Sequence, residues 1–147
     1  MKIAMGSAHA GFPLKERIVA KLRAAGHQIQ DHGTDSEAST DYPDYAHPVA
    51  SAVESGEVTL GILMCGSGNG INMAANKHQG VRSALCWTPE IAEMARLHNN
   101  ANILALPARY IQPEVADTIV DAFLKHEFEG GRHQRRGEKI ALGAENC

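Results

Sequence analysis

Short apolar runs alternate along the chain with longer segments whose apolar positions recur at helical spacing. Residues 2–5 form an apolar run closed by Gly6. Residues 13–25 follow with Leu14, Ile18, Leu22 and Ala25 on one face, Pro13 suiting a first helical turn and Gly26 the stop. Gln28–Asp31 reads as a weak strand before Gly33, and residues 44–55 as a helix carrying Ala46, Val49, Ala50 and Val53 inward. Leu60–Cys65 is nearly continuous apolar sequence, as expected of a strand buried on both faces. A glycine-rich turn over residues 66–70 leads into a helix over 71–77, then a strand over 81–86. Thr88 is a plausible cap for a helix over 89–97. A fifth strand is expected over 102–106, and a helix over Pro113–Lys125 with Val115, Ile119, Ala122 and Phe123 inward. The residues from Gly130 onward are polar and basic and read as a helical tail over 130–147.

Five strand-then-helix units in succession predict one domain over residues 1–147. The expected class is α/β, a Rossmann-like three-layer α/β/α sandwich with a five-stranded parallel sheet and right-handed crossovers. Ligands of such sheets bind beyond the carboxyl ends of the strands. The residues to search are therefore 6–11, 65–70, 86–88 and 106–109.

Composition narrows the chemistry. At 147 residues the chain is long enough to bury a core, and 44% hydrophobic with 21% charged residues is a globular composition. A net charge of −3 and 5% aromatic residues give neither the basic footprint nor the stacking platforms of a nucleic-acid binder. No apolar run approaches the ~20 residues of a membrane helix. The N-terminus reads as a strand rather than a signal peptide, so a cytoplasmic location is expected. Cys65, Cys86 and Cys147 are an odd number, which fits reduced thiols better than a disulfide scaffold.

Four segments could carry chemistry. Cys65-Gly66-Ser67-Gly68-Asn69-Gly70 follows a buried strand and opens a helix, so its backbone can approach an anion and its thiol sits where helix amides favour a thiolate. It is not a P-loop, since no Gly-Lys-Ser/Thr follows, nor a dinucleotide fingerprint. On residue type alone, Cys65 is equally well a buried thiol before a tight turn. His9, in the loop after the first strand, is either a surface residue or a group reaching over the sheet edge. His98 is an acid or base, or a histidine satisfying a helix C-terminus. Arg132 and Arg136 are four apart, so on a helix they share a face suited to a phosphate dianion; the other reading is a solvated basic tail. No His, Cys or carboxylate set has metal-ligand spacing. A thiol, an anion-binding turn, histidines and paired arginines together suggest acid–base chemistry on a small phosphorylated substrate.

Residues 1–11, 40–45, 61–77, 98–106 and 129–136 resemble the RpiB/LacA/LacB family of sugar-phosphate isomerases, which includes ribose-5-phosphate isomerase B. The run from Cys65 to Ile71, with Ala74-Ala75-Asn76-Lys77, and the run Glu129-Gly130-Gly131-Arg132-His133 carry the resemblance most specifically. The likeness implies cofactor-free aldose–ketose isomerisation of ribose 5-phosphate and ribulose 5-phosphate through a cis-enediolate. It also implies a homodimer, which could pair into a tetramer, with sites shared between subunits. By the same resemblance Cys65 is the proton-transferring base and Ser67 contacts the substrate near the reacting centre. The amides of Gly66, Gly68, Asn69 and Gly70 stabilise the enediolate oxygen. His98 opens the sugar ring from the partner subunit, and Asn99 binds substrate beside it. Tyr42 lines the sugar site, and His9, Arg109, Arg132 and Arg136 hold the phosphate. A second branch of the family uses a Glu where this chain has Ile71, which puts the chain in the cysteine branch.

Two positions depart from the family pattern. Ala8, in the substrate-binding loop, stands where the family has an Asp implied in ring opening, and Asn100 stands where an Asp is common. The alternatives are therefore an isomerase of a six-carbon sugar phosphate (allose 6-phosphate or galactose 6-phosphate), or a protein that binds a sugar phosphate without converting it. Cys65, His98 and the arginine pair on one chain favour a self-sufficient homodimer over the split galactose-6-phosphate type.

Overall fold

The computed structural model describes residues 1–143; Cys147 and the end of the predicted tail lie outside them. The strands are β1 (Lys2–Ser7), β2 (Gln28–Asp31), β3 (Leu60–Cys65), β4 (Ser83–Leu85) and β5 (Ile103–Pro107). The helices are α1 (Phe12–Ala24), α2 (Pro43–Glu54), α3 (Asn69–Ala75), α4 (Pro89–Asn99), α5 (Pro113–Lys125) and α6 (Arg132–Glu138). All strand pairs are parallel, in the order β2-β1-β3-β5-β4. This is the expected three-layer α/β sandwich. Its two cores lie on opposite faces of the sheet. One packs Ile18, Leu22, Ile119 and Phe123 against Ile3, Ile62 and Leu104. The other packs Val49, Val53 and Ile71 against Ala4, Leu63 and Ile103.

Burial follows strand position. β3 and β5 are buried at every residue, whereas the edge strands β2 and β4 are only partly covered. β4 is shorter than the expected 81–86: its register with β5 covers only Ser83–Leu85, although the Cys86 N–H still donates to Ala105 O (3.0 Å). α3 begins at Asn69, inside the glycine turn, and ends before Lys77. Two expected inward positions are corrected. Val115 is exposed, because the apolar stripe of α5 runs through Ala116, Ile119, Val120 and Phe123, one position further on. Ala25 is exposed because it caps α1 instead of lying within it. Among the described residues the predicted tail is helical only over Arg132–Glu138.

Backbone and side-chain bonds tie α6 down at both ends. The Glu129 N–H donates to Leu97 O (3.1 Å), and the Leu142 N–H to Gln79 Oε1 (2.9 Å). Among the described residues no helix is long and apolar enough to cross a membrane.

Candidate active site

The strand order reverses direction at β1: the chain goes out to β2, then back across β1 to β3. Such a switch point leaves a crevice at the carboxyl ends of the two diverging strands. A cavity of about 220 Å³ opens there, lined by Ala8, His9, Ala10, Thr40, Tyr42, Cys65, Gly66, Ser67, Gly70 and Arg109. Each wall residue has a local reason for its place. Ala8 leaves β1 with its N–H donating to Met64 O (3.2 Å), which keeps the first loop against the end of β3. His9 is clasped to the loop before α2: its N–H donates to Thr40 Oγ1 (3.2 Å), and the Thr40 N–H donates to His9 Nδ1 (3.1 Å). Nδ1 is thereby an acceptor, which leaves Nε2 to carry the ring proton.

Cys65 ends β3, only 8% exposed, with its residue in the cavity wall. The turn after it needs glycine twice. Gly68 has φ +76°, and a Cβ on Gly70 would lie 2.6 Å from the Tyr42 ring. Tyr42 can lie against this turn only because Gly70 has no side chain. Ser67 Oγ accepts from the Asn69 N–H (3.2 Å). The Arg109 N–H donates to Gly66 O (2.9 Å), and its guanidinium lies so close over Gly66 that a Cβ there would stand 3.1 Å from Nη1. The wall holds a guanidinium, an imidazole, a thiol and hydroxyls, and no carboxylate. Such a lining suits a small anion held beside a thiol.

A cavity of about 660 Å³ at the end of β2 is larger but acidic, with Glu16, Asp31 and Asp35 against the single cation Lys15, which does not suit an anion. Lys15, 1% exposed, donates to both oxygens of Asp31 (2.7 and 2.8 Å) and to Glu16 (2.9 Å).

A second cluster gathers where α4 ends against α6. Asn100 caps α4 in the left-handed region (φ 49°), its carbonyl accepting from Arg82 Nε (2.7 Å). The Arg96 guanidinium donates to Ala101 O and to His126 O. Burial lowers the pKa of both arginines. On this braced corner His98 stacks on His133, ring centroids 4.2 Å apart and planes 11° from parallel. His98 Nε2 stands 3.7 Å from Glu129 Oε1. Burial holds the His133 pKa below the usual histidine range, with the positive charges of His98, Arg132 and Arg136 acting the same way and Glu129 opposing. Arg132 and Arg136 are exposed on the same short helix.

The sequence spacing offers no metal-ligand set, yet the fold brings ligand atoms of His98, Glu129 and His133 within 4.8 Å of one another. The ring geometry does not suit chelation. A metal lies in the plane of each ligating imidazole, and nearly parallel rings send their in-plane lone pairs side by side rather than toward one point.

The predicted site residues thus separate. Ala8, His9, Tyr42, Cys65, Gly66, Ser67, Gly70 and Arg109 share the cavity. Gly68 and Asn69 form its turn without reaching the wall, and His98, Asn99, Arg132 and Arg136 lie outside it. Thr40 and Ala10 in the wall, and Glu129 and His133 in the second cluster, were not singled out as site residues. Glu129 and His133 had a visible signal, as the two ends of the run that carries the family resemblance.

A doubly covered parallel sheet, with a thiol beside a guanidinium and an imidazole at its switch point, defines an α/β protein whose cavity suits a small anionic ligand. The family model described as Ribose/Galactose Isomerase matches residues 3–140. Ribose-5-phosphate isomerase B of Escherichia coli (strain K12) is 51% identical over 139 residues, 95% of this chain and 93% of its own. The crystal structure of a ribose 5-phosphate isomerase from Thermotoga maritima superposes with a TM-score of 0.94 at 53% identity, covering 95% of this chain and 97% of that one. Ribose-5-phosphate isomerase B from Mycoplasma genitalium, solved with bound ribulose-5-phosphate, gives 0.91 at 45% identity, covering 95% and 93%. The chain belongs to the ribose/galactose isomerase family, the RpiB/LacA/LacB group, and is an isomerase of that family.

Proposed function

We propose that this protein interconverts ribose 5-phosphate and ribulose 5-phosphate without a cofactor, Cys65 moving the proton between C2 and C1 through a cis-enediolate. The observation that carries the reading is the shared cavity, where Cys65 and Ser67 face the same space as His9 and Arg109. An anionic phosphate held by His9 and Arg109 orients the sugar toward the thiol, so binding energy from the non-reacting end serves the reacting one. The backbone of the Gly66–Gly70 turn lies where the enediolate oxygen would develop charge, and its N–H groups stabilise it. His98 handles ring opening, with Asn99 beside it, and Arg132 and Arg136 complete the phosphate site. Because these four lie outside the Cys65 cavity, a complete site takes them from a second copy of the chain, as a homodimer.

The test is Cys65→Ala in an assay that follows ribulose 5-phosphate. Isomerisation should be abolished, while affinity for ribose 5-phosphate stays within about tenfold, roughly 1.4 kcal/mol. Substantial turnover by this variant would remove Cys65 from the mechanism. Faster turnover of allose 6-phosphate than of ribose 5-phosphate by the unmodified chain would move the substrate to six carbons. Binding without turnover of either would leave a sugar-phosphate-binding protein.

A further inference from the structure

We propose that His133 is a positioning residue for His98: its ring, lying flat against the His98 imidazole, fixes the plane in which His98 exchanges protons with the sugar. The inference rests on the assignment of His98 to ring opening. It adds a residue that the reaction itself does not require.

His133 stands apart from its neighbours. Arg132, Gln134, Arg135 and Arg136 are exposed, whereas His133 is 9% exposed, although all five share a helix of seven residues. α6 turns this one imidazole inward, and the surface it meets is the face of His98. His98 is otherwise open, its side chain 37% exposed in the last turn of α4. An imidazole that exposed has several rotamers within reach, and only some aim a ring nitrogen at a bound sugar. The stack at 4.2 Å and 11° selects one ring plane. Glu129 lies 3.7 Å from Nε2, and its charge biases how the ring turns within that plane. The two restraints act about different axes.

The surroundings also suit a ring that stacks without taking up charge. The groups facing His133 are His98 from α4, Arg132 and Arg136 from its own helix, and Glu129 from the segment before it. Burial disfavours an imidazolium there most, and three of the four, all but Glu129, act the same way. A ring so disfavoured as an imidazolium keeps its flat face available to the His98 imidazole stacked on it. Near-parallel rings also argue against the other use of a His-Glu-His group, metal chelation. Arg132 and Arg136 remain free on the solvent side for an anion, so His133 does not compete with them.

The experiment compares His133→Ala and His133→Phe with the unmodified protein by two readouts. One is kcat for ribose 5-phosphate, which is mostly cyclic and must be opened. The other is Cys65-dependent exchange of the C1 proton of ribulose 5-phosphate with deuterated solvent, which needs no ring opening. His133→Ala should lower kcat by about tenfold to a hundredfold, KM changing less than about threefold, and leave exchange within about threefold. His133→Phe keeps a flat ring and cannot titrate, and it should recover most of kcat. The proposal is overturned if His133→Ala keeps full kcat, if exchange falls in step with isomerisation, or if Phe restores nothing in a variant that unfolds at the same temperature as the unmodified protein. His98→Ala separates the underlying assignment. Full ring-dependent turnover in that variant refutes the role of His98 itself. A dead His98→Ala beside a fully active His133→Ala refutes the positioning role alone.

Discussion

Ala8 occupies a wall of the cavity at 4% exposure, its backbone held to Met64, in the place where the family resemblance implies a carboxylate. If that carboxylate serves ring opening, its absence should slow the first step on a cyclic aldose and spare proton transfer. Ala8→Asp is expected to speed single-turnover conversion of ribose 5-phosphate by about fivefold to a hundredfold, the worth of a missing hydrogen bond of ~1–3 kcal/mol. C1 exchange in ribulose 5-phosphate should not change. Equal gains in both would assign position 8 to the enediolate step. The two described cysteines make a second residue-scale contrast. Both are free thiols, but Cys86 is fully buried, and desolvation pushes its pKa up to about 12. A raised thiol pKa means the thiolate is scarce below it, about one part in 10,000 at pH 8. Iodoacetamide on the folded protein at pH 8 should therefore modify Cys65, in the cavity wall, and leave Cys86 intact until denaturant is added. Peptide mapping reads the order, and labelling of Cys86 at an equal rate would contradict its burial. Legibility differed in the same way between residues. Cys65 announced itself by position, after an apolar strand and before three glycines. Thr40 could not, because its bonds to His9 span 31 residues and leave no local pattern.

Periodicity located every strand and helix of the sandwich because most of them bury one clear stripe or are buried throughout. Errors collected where another force set the boundary. β4 is cut short by its edge position, α3 starts early because the turn residues themselves are helical, and α5 presents its stripe one residue later than Val115 suggests. Lys15 is the sharpest case: a cation on the inward face of α1, 1% exposed beside Leu14, Ile18 and Leu22. Hydrophobic patterning assigns Lys to the surface, and its partners explain the burial: Asp31 on β2, sixteen residues away, with Glu16 beside it. Removing one side of such a pair strands the other charge. Lys15→Ala should cost on the order of 3–5 kcal/mol in urea unfolding. Lys15→Met with Asp31→Leu should cost much less than the single change. A loss below 1 kcal/mol for Lys15→Ala would mean that Asp31 is solvated well enough without it.

At the scale of the molecule, the rule that ligands sit beyond the carboxyl ends of parallel strands points to the end of the sheet where the Cys65 cavity opens. The rule alone does not foresee that His98, Asn99, Arg132 and Arg136 stand apart from the Cys65 cavity; only the family resemblance, with its partner-supplied His98, implied such a division. If two copies share each site, inactive variants with defects in different clusters should rescue one another. Cys65→Ala and His98→Ala, unfolded and refolded together in equal amounts, form half heterodimers, each with one intact site of two. About a quarter of full activity should return. No recovery, with heterodimers present by mass spectrometry, would mean that each chain builds its own complete site. The bonds at the two ends of α6 have a mechanical consequence. Seven residues carrying two of the proposed phosphate ligands are buckled at Leu97 on one side and at Gln79 on the other, like a strap drawn over a corner. A strap fastened twice transmits tension. A cut beyond Glu138 would leave Arg132, His133 and Arg136 in place, yet let the arginine face swing about its one remaining buckle, and the corner around His98 would slacken without losing any of the proposed ligands.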